Sequence, residues 1–179
     1  MNRTDLEIAL ERLGGRCPDD CEIVLAGGSA LVLGGYIDRG TSDGDVIHAD
    51  PRLADLKRHI AAVAEELDLA PGWLNDGVKA WAGVLPPDFR DRLEDVGTFG
   101  RLRVRRLGRL DLLVMKFLSL RAVDLDDLDE LGPTAEEVAF VRGQMGRIAA
   151  LFPDRALRMS LYLDQGETAG LPDPQSPDR

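Results

Sequence analysis

Ala26-Gly27-Gly28-Ser29-Ala30, followed by Arg39-Gly40-Thr41-Ser42-Asp43-Gly44-Asp45-Val46, decides how this chain folds. A glycine turn of the first kind opens a helix and turns backbone N–H groups toward a phosphate. The second stretch sets Asp43 and Asp45 two residues apart. On a strand, residues i and i+2 project from one face, so the two carboxylates converge on one point. Paired hard oxygen ligands beside a phosphate cradle suit Mg²⁺ (or Mn²⁺) carrying a nucleoside triphosphate (NTP).

The flanks fit that centre. Glu22-Ile23-Val24-Leu25-Ala26 is a short apolar, β-branched run and predicts a buried strand leading into the glycine turn. A short helix over 29–33 is closed by Gly34-Gly35, and a second strand covers 43–47. Upstream, 4–13 reads as a helix, with Thr4 as N-cap and Glu7 completing a capping box.

Downstream, Leu53, Leu56, Ile60, Val63 and Leu67 recur at helical period across 51–67. Residues 71–78 read as a loop rich in side chains able to touch a ligand. A short helix over 86–93 and a strand over 99–107 follow. The dense apolar run 110–120 predicts a buried helix, and a short helix starts at Asp124. Thr134 and Glu137 form a second capping box opening a long helix, with one more helix over 153–163.

The fold expected is α/β (α+β): a small mixed sheet of about three strands flanked by helices, with a helical C-terminal part. Residues 1–107 would form the core and 108–165 a helical region packed on it. Residues 166–179, with Pro172, Pro174 and Pro177 among polar neighbours, would be a disordered tail.

Composition narrows the function. The chain carries 22 Lys plus Arg against 32 Asp plus Glu, which excludes a protein that coats nucleic acid through its phosphates alone. Arg101, Arg103 and Arg105 alternate with Leu102 and Val104, so a strand there shows three arginines on one face. That face is either solvated surface or a seat for RNA or nucleotide phosphate. No apolar run approaches the roughly 20 residues of a membrane span. The N-terminus lacks the basic and apolar regions of a signal peptide, so the expected location is cytoplasmic. Cys17 and Cys21 have C-x₃-C spacing without a second ligand pair nearby in sequence, and two free thiols are expected. His48 and His59 each stand alone on their elements, as structural histidines usually do.

Apolar-Gly-Ser followed by Asp-x-Asp on a strand resembles the nucleotidyltransferase (polymerase β-like) superfamily. Gly27-Gly28-Ser29-Ala30 with Arg39-x-Thr41-x-Asp43-x-Asp45 is similar, more narrowly, to its AbiEii-type and minimal nucleotidyltransferase-like branch. Leu113-Val114-Met115-Lys116-Phe117-Leu118-Ser119-Leu120-Arg121 and Asp124-Leu125-Asp126-Asp127-Leu128 resemble that branch's second block. The resemblance implies a nucleotidyltransferase, an enzyme moving a nucleoside monophosphate from an NTP to an acceptor. Asp43 and Asp45 would bind the metal, Gly27, Gly28 and Ser29 the triphosphate, and Lys116 its phosphates, while Arg39 would pair with phosphate or brace the Asp-x-Asp strand. Asp124 would orient the site or serve as base. The implied acceptor is RNA (particularly tRNA) or protein, in the toxin of a toxin–antitoxin or phage-defence pair with a cognate antitoxin as partner.

Two positions depart from the pattern. The residue between the aspartates is usually apolar, and here it is Gly44. Polymerase-type members carry a third carboxylate on a neighbouring strand, whereas 100–107 offers only arginines, leaving Asp76 or Asp124 to stand in. A catalytically inactive protein of the same fold, acting by nucleotide or partner binding, is the alternative these departures favour.

Overall fold

The computed structural model describes residues 1–169. Five strands form one mixed sheet in the order β3-β2-β1-β5-β4. They are β1 (Cys21–Ala26), β2 (Gly44–Asp50), β3 (Leu74–Asn75), β4 (Glu94–Phe99) and β5 (Leu102–Arg106). β1 runs antiparallel to β2 and parallel to β5, β2 parallel to β3, and β4 antiparallel to β5. Ile23, Val24, Leu25 and Ala26 are all buried, so the central strand is covered on both faces, as its unbroken apolar run requires.

The helices are α1 (Arg3–Gly14), α2 (Gly27–Leu33), α3 (Lys57–Glu66), α4 (Arg109–Ser119), α5 (Ala122–Leu131), α6 (Ala135–Gly143), α7 (Met145–Leu151) and α8 (Pro153–Ala169). 3-10 helices occupy Leu53–Leu56, Gly77–Val84 and Phe89–Arg92. The α/β expectation holds, with five strands where about three were legible. β4 was missed because it is a polar, half-exposed outer strand with a register shift between Asp95 and Gly97. β3 was missed because two residues are too few for any periodicity.

Several boundaries move for local reasons. α1 starts at Arg3 because Asn2, not Thr4, is the N-cap: its side chain accepts from Asp5 N and Asp5 accepts from Asn2 N, both at 2.9 Å. The expected box of Thr134 and Glu137 opens α6, but the long helix it promised divides at Gln144, between Gly143 and Gly146. Glycine's poor helix propensity on both sides accounts for the break. α8 continues past residue 166 to Ala169, into the segment expected to be a disordered tail; 170–179 lie outside the described residues.

One hydrophobic cluster joins Leu6 of α1, the sheet, α4 and Leu163 of α8. α4 is its axis, with every residue from Asp111 to Ser119 buried. The N-terminal and C-terminal halves therefore share a core. α4 and α5 reach the end of the sheet where β1 gives way to α2, and there they complete the site.

Candidate functional site

β1 ends at Ala26 and the chain turns into α2 through Gly27, whose φ of +60° falls where L side chains are strained. A Cβ on Gly27 would stand 2.3 Å from Asp45 Oδ2. The turn can therefore touch the carboxylate only because residue 27 has no side chain. Asp45 lies directly across the ladder from Ala26, at the start of β2, and Asp43 immediately precedes that strand. Thr41 Oγ1 donates to Asp43 O at 3.0 Å and fixes the loop against Gly28.

The two aspartates border a cavity of about 320 Å³ lined also by Gly28, Arg39, Thr41, Lys116 and Arg121. Burial, and then the neighbouring Asp43 carboxylate, push the Asp45 carboxyl up to about 6. A divalent cation would remove both penalties. Among the described residues no cluster of three or more His, Cys, Asp or Glu has metal-site geometry. Two carboxylates nevertheless suit Mg²⁺, which keeps waters and takes its remaining oxygens from substrate phosphates.

The departures from the sequence pattern have structural answers. A Cβ on Gly44 would meet Leu74 Cδ1 at 2.8 Å, and Gly44 N donates to Trp73 O at 2.5 Å. β3 thus fills the space that an apolar side chain between the aspartates would take. On the neighbouring strand, the residue in register with Asp45 is Asn75, whose Nδ2 lies 3.3 Å from Asp43 Oδ2. An amide occupies the position beside the pair. Asp76 lies outside the cavity, in a small crevice with His48 and Lys79.

Behind the carboxylates stands a buried ionic network. Lys116 Nζ, on α4, sits 2.8 Å from Asp124 Oδ1 and 2.6 Å from Asp127 Oδ2, both on α5. Arg39 grips Asp127 through Nε and Nη2 at 2.5 and 2.6 Å. Arg121, the N-cap of α5, donates from Nε and from its backbone N to Asp124 Oδ2, at 2.8 and 3.1 Å. Burial alone would raise both carboxylates, but these hydrogen bonds outweigh it and hold Asp124 and Asp127 below the usual range. Both carboxylates are thus held ionised, with Asp124 bridging Lys116 of α4 and Arg121 of α5.

Ser29 also departs from its expected place. It is fully buried, and its hydroxyl donates to Ala26 O at 3.1 Å within the turn, away from the cavity. Lys116 is buried and doubly paired. Arg121 projects an exposed guanidinium into the cavity.

Sequence reasoning missed Asn75, Val78, Trp81 and Val123, which all border the site or its carboxylates. Only the ligand-like composition of 71–78 hinted at part of this set. Trp73 of that segment belongs to the core, with Nε1 donating to Ile60 O at 3.1 Å. Cys17 and Cys21 are buried free thiols, and burial followed by the Cys21 contact pushes Cys17 up to about 12.

A five-stranded mixed sheet, a glycine turn opening a helix, and an aspartate pair at the start of the adjoining strand define a nucleotidyltransferase-like protein. The chain belongs to the family described as "Nucleotidyltransferase of unknown function (DUF6036)", which matches residues 5–135. That span takes in every residue lining the cavity. No curated protein and no solved structure matches the chain. Among the described residues no helix is long and apolar enough to cross a membrane.

Proposed function

We propose that the chain transfers a nucleoside monophosphate from a metal-bound NTP to an acceptor hydroxyl. The observation that carries this is the convergence of Asp43 and Asp45 on one cavity, with Asp45 against the glycine turn at Gly27. Asp43 and Asp45 would hold Mg²⁺ or Mn²⁺, which would neutralise the triphosphate and its departing pyrophosphate. Gly28 lets the backbone approach the phosphates, and Arg121 supplies the exposed cation of the cavity. Lys116 and Arg39, tied to Asp124 and Asp127, set a fixed ion-paired wall behind the carboxylates. Asp124 is a positioning residue, holding Lys116 and Arg121 in place.

The finer likeness to the AbiEii-type branch rests on Arg39, Thr41, Asp43 and Asp45 and on the block from Leu113 to Leu128. It extends the proposal to RNA, particularly tRNA, or a protein as acceptor, and to a toxin held in check by a cognate antitoxin.

A second reading has its own support: Asn75 stands beside the pair instead of a carboxylate, and Asp124 is fully engaged. A protein with that site binds a nucleotide without turning it over. One experiment separates the two. The chain is incubated with each α-labelled NTP, Mg²⁺ or Mn²⁺, and total RNA or cell lysate. Label entering RNA or protein, and absent with Asp45→Asn, supports transfer. Metal-dependent NTP binding without incorporation supports the binder, and absence of both overturns the proposal.

A further inference from the structure

The cavity is polar except for one patch. Val78 and Trp81 lie three residues apart on the 3-10 helix Gly77–Val84, and side chains at that spacing eclipse on one face. Both line the cavity, and Val123 from the first turn of α5 joins them. A triphosphate and a metal need no apolar wall. Trp81 is also braced: the Arg155 guanidinium of α8 lies 4.8 Å from its ring centroid, and Arg155 Nη1 donates to Leu118 O on α4 at 3.4 Å. A half-buried indole held by a cation and facing a polar cavity has the form of a stacking platform.

We propose that Trp81, flanked by Val78 and Val123, seats the nucleobase of the NTP. This rests on the nucleotide-binding reading of the Asp43–Asp45 site. Because the patch offers an aromatic face and aliphatic side chains, the base is held by stacking and apolar contact. Stacking of one base on an aromatic side chain is worth roughly 5- to 150-fold in affinity. The segment that carries Trp81 follows directly from β3, whose Asn75 is in register with Asp45. The base platform and the metal-binding strand are therefore set by the same pairing.

The test compares the tightest-binding of the four NTPs with inorganic tripolyphosphate, each with Mg²⁺, by calorimetry and tryptophan emission. The only other tryptophan, Trp73, is fully buried, so ligand-dependent quenching reports Trp81. The NTP is expected to bind roughly ten-fold or more tighter than tripolyphosphate and alone to quench emission. Trp81→Leu should lose that advantage with tripolyphosphate affinity unchanged, and Trp81→Phe should keep most of it. An NTP that binds no tighter than tripolyphosphate, or that Trp81→Leu binds like the wild type, overturns the base seat and leaves the phosphate site standing. Binding of neither ligand overturns both readings. If circular dichroism shows Trp81→Leu unfolded, Trp81→Phe and the wild-type quenching comparison decide: no quenching by the NTP overturns the seat.

Discussion

Gly27 and Asp45 occupy each other's space: the carboxylate Oδ2 stands 2.3 Å from where a Gly27 Cβ would be. The glycine turn and the strand aspartate are thus one unit, and the turn's φ of +60° excludes a side chain a second time. Gly27→Ala should lose about 1–3 kcal/mol of stability from backbone strain. It should also weaken metal-dependent NTP binding, because Asp45 must move. Urea denaturation and calorimetry together check this; an Ala variant with unaltered affinity would uncouple the turn from the carboxylate.

Asp45 is pushed up to about 6 by burial and by Asp43, so near pH 8 the folded protein holds an ionised carboxylate at a cost the unfolded chain does not bear. Asp45→Asn should therefore be as stable as the wild type or more so at pH 8. The sign follows from the raised value: ionisation costs the folded state more than the unfolded one, so the advantage shrinks as pH falls and vanishes below about pH 4. The same variant should lose Mg²⁺-dependent NTP binding. Thermal melts across pH and a binding titration measure the two effects separately, and retained binding would remove Asp45 from the metal.

Lys116 illustrates what the sequence could and could not show. Its place on a buried helix, eight and eleven residues before Asp124 and Asp127, gave no geometry; the resemblance to a second block supplied its importance and assigned it to phosphate. What decides its state is α5 folding back on α4, which brings Asp124 and Asp127 to its ammonium. The Asp43–Asp45 pair was legible because its i, i+2 spacing at the entry to β2 is a local pattern, although the strand itself begins only at Gly44. Asn75, Trp81 and Val123 were not, because β3 has two residues, Trp81 sits on an irregular 3-10 segment, and Val123 arrives through helix packing. Local pattern gave the chemistry of the site, and tertiary contacts gave its walls.

Removing that ammonium leaves two buried carboxylates short of a partner. Lys116→Met should cost about 3–5 kcal/mol, the range for breaking a buried ion pair from one side. Chemical denaturation reads the loss. A cost below about 1 kcal/mol would mean that Arg39 and Arg121 alone satisfy Asp127 and Asp124.

Acid should attack the same network. Asp124 and Asp127 are held below the usual carboxylate range by Arg121, Lys116 and Arg39 against the opposing effect of burial. A depressed folded value means that the stabilisation is complete above the unfolded value near pH 4 and is lost as pH falls below it. Asp127→Asn should be less stable at pH 7 and should show a shallower loss of stability between about pH 4 and pH 2. Melting temperatures across that window check the slope, and an unchanged acid limb would place the titrating carboxylates elsewhere.

Two arginines of the β5 face, Arg103 and Arg105, are paired with carboxylates. Glu22, across the ladder on β1, meets Arg105 at 2.6 Å and Arg103 at 3.9 Å; Asp95 of β4 takes Arg103 at 3.1 Å. Arg101 donates to Pro18 O. Glu22 lies four residues before Ala26, so Arg103 beside it stands roughly 13 Å along the strands from the glycine turn. A charge already matched by a carboxylate releases few counterions from a polyanion. Replacing Arg103 and Arg105 together with Gln should therefore leave NTP affinity unchanged. Where RNA is bound, its affinity and the slope of affinity against salt should also hold. A slope that falls by about one unit for each arginine removed would show that RNA displaces Glu22 and Asp95, and would make this face the acceptor's seat.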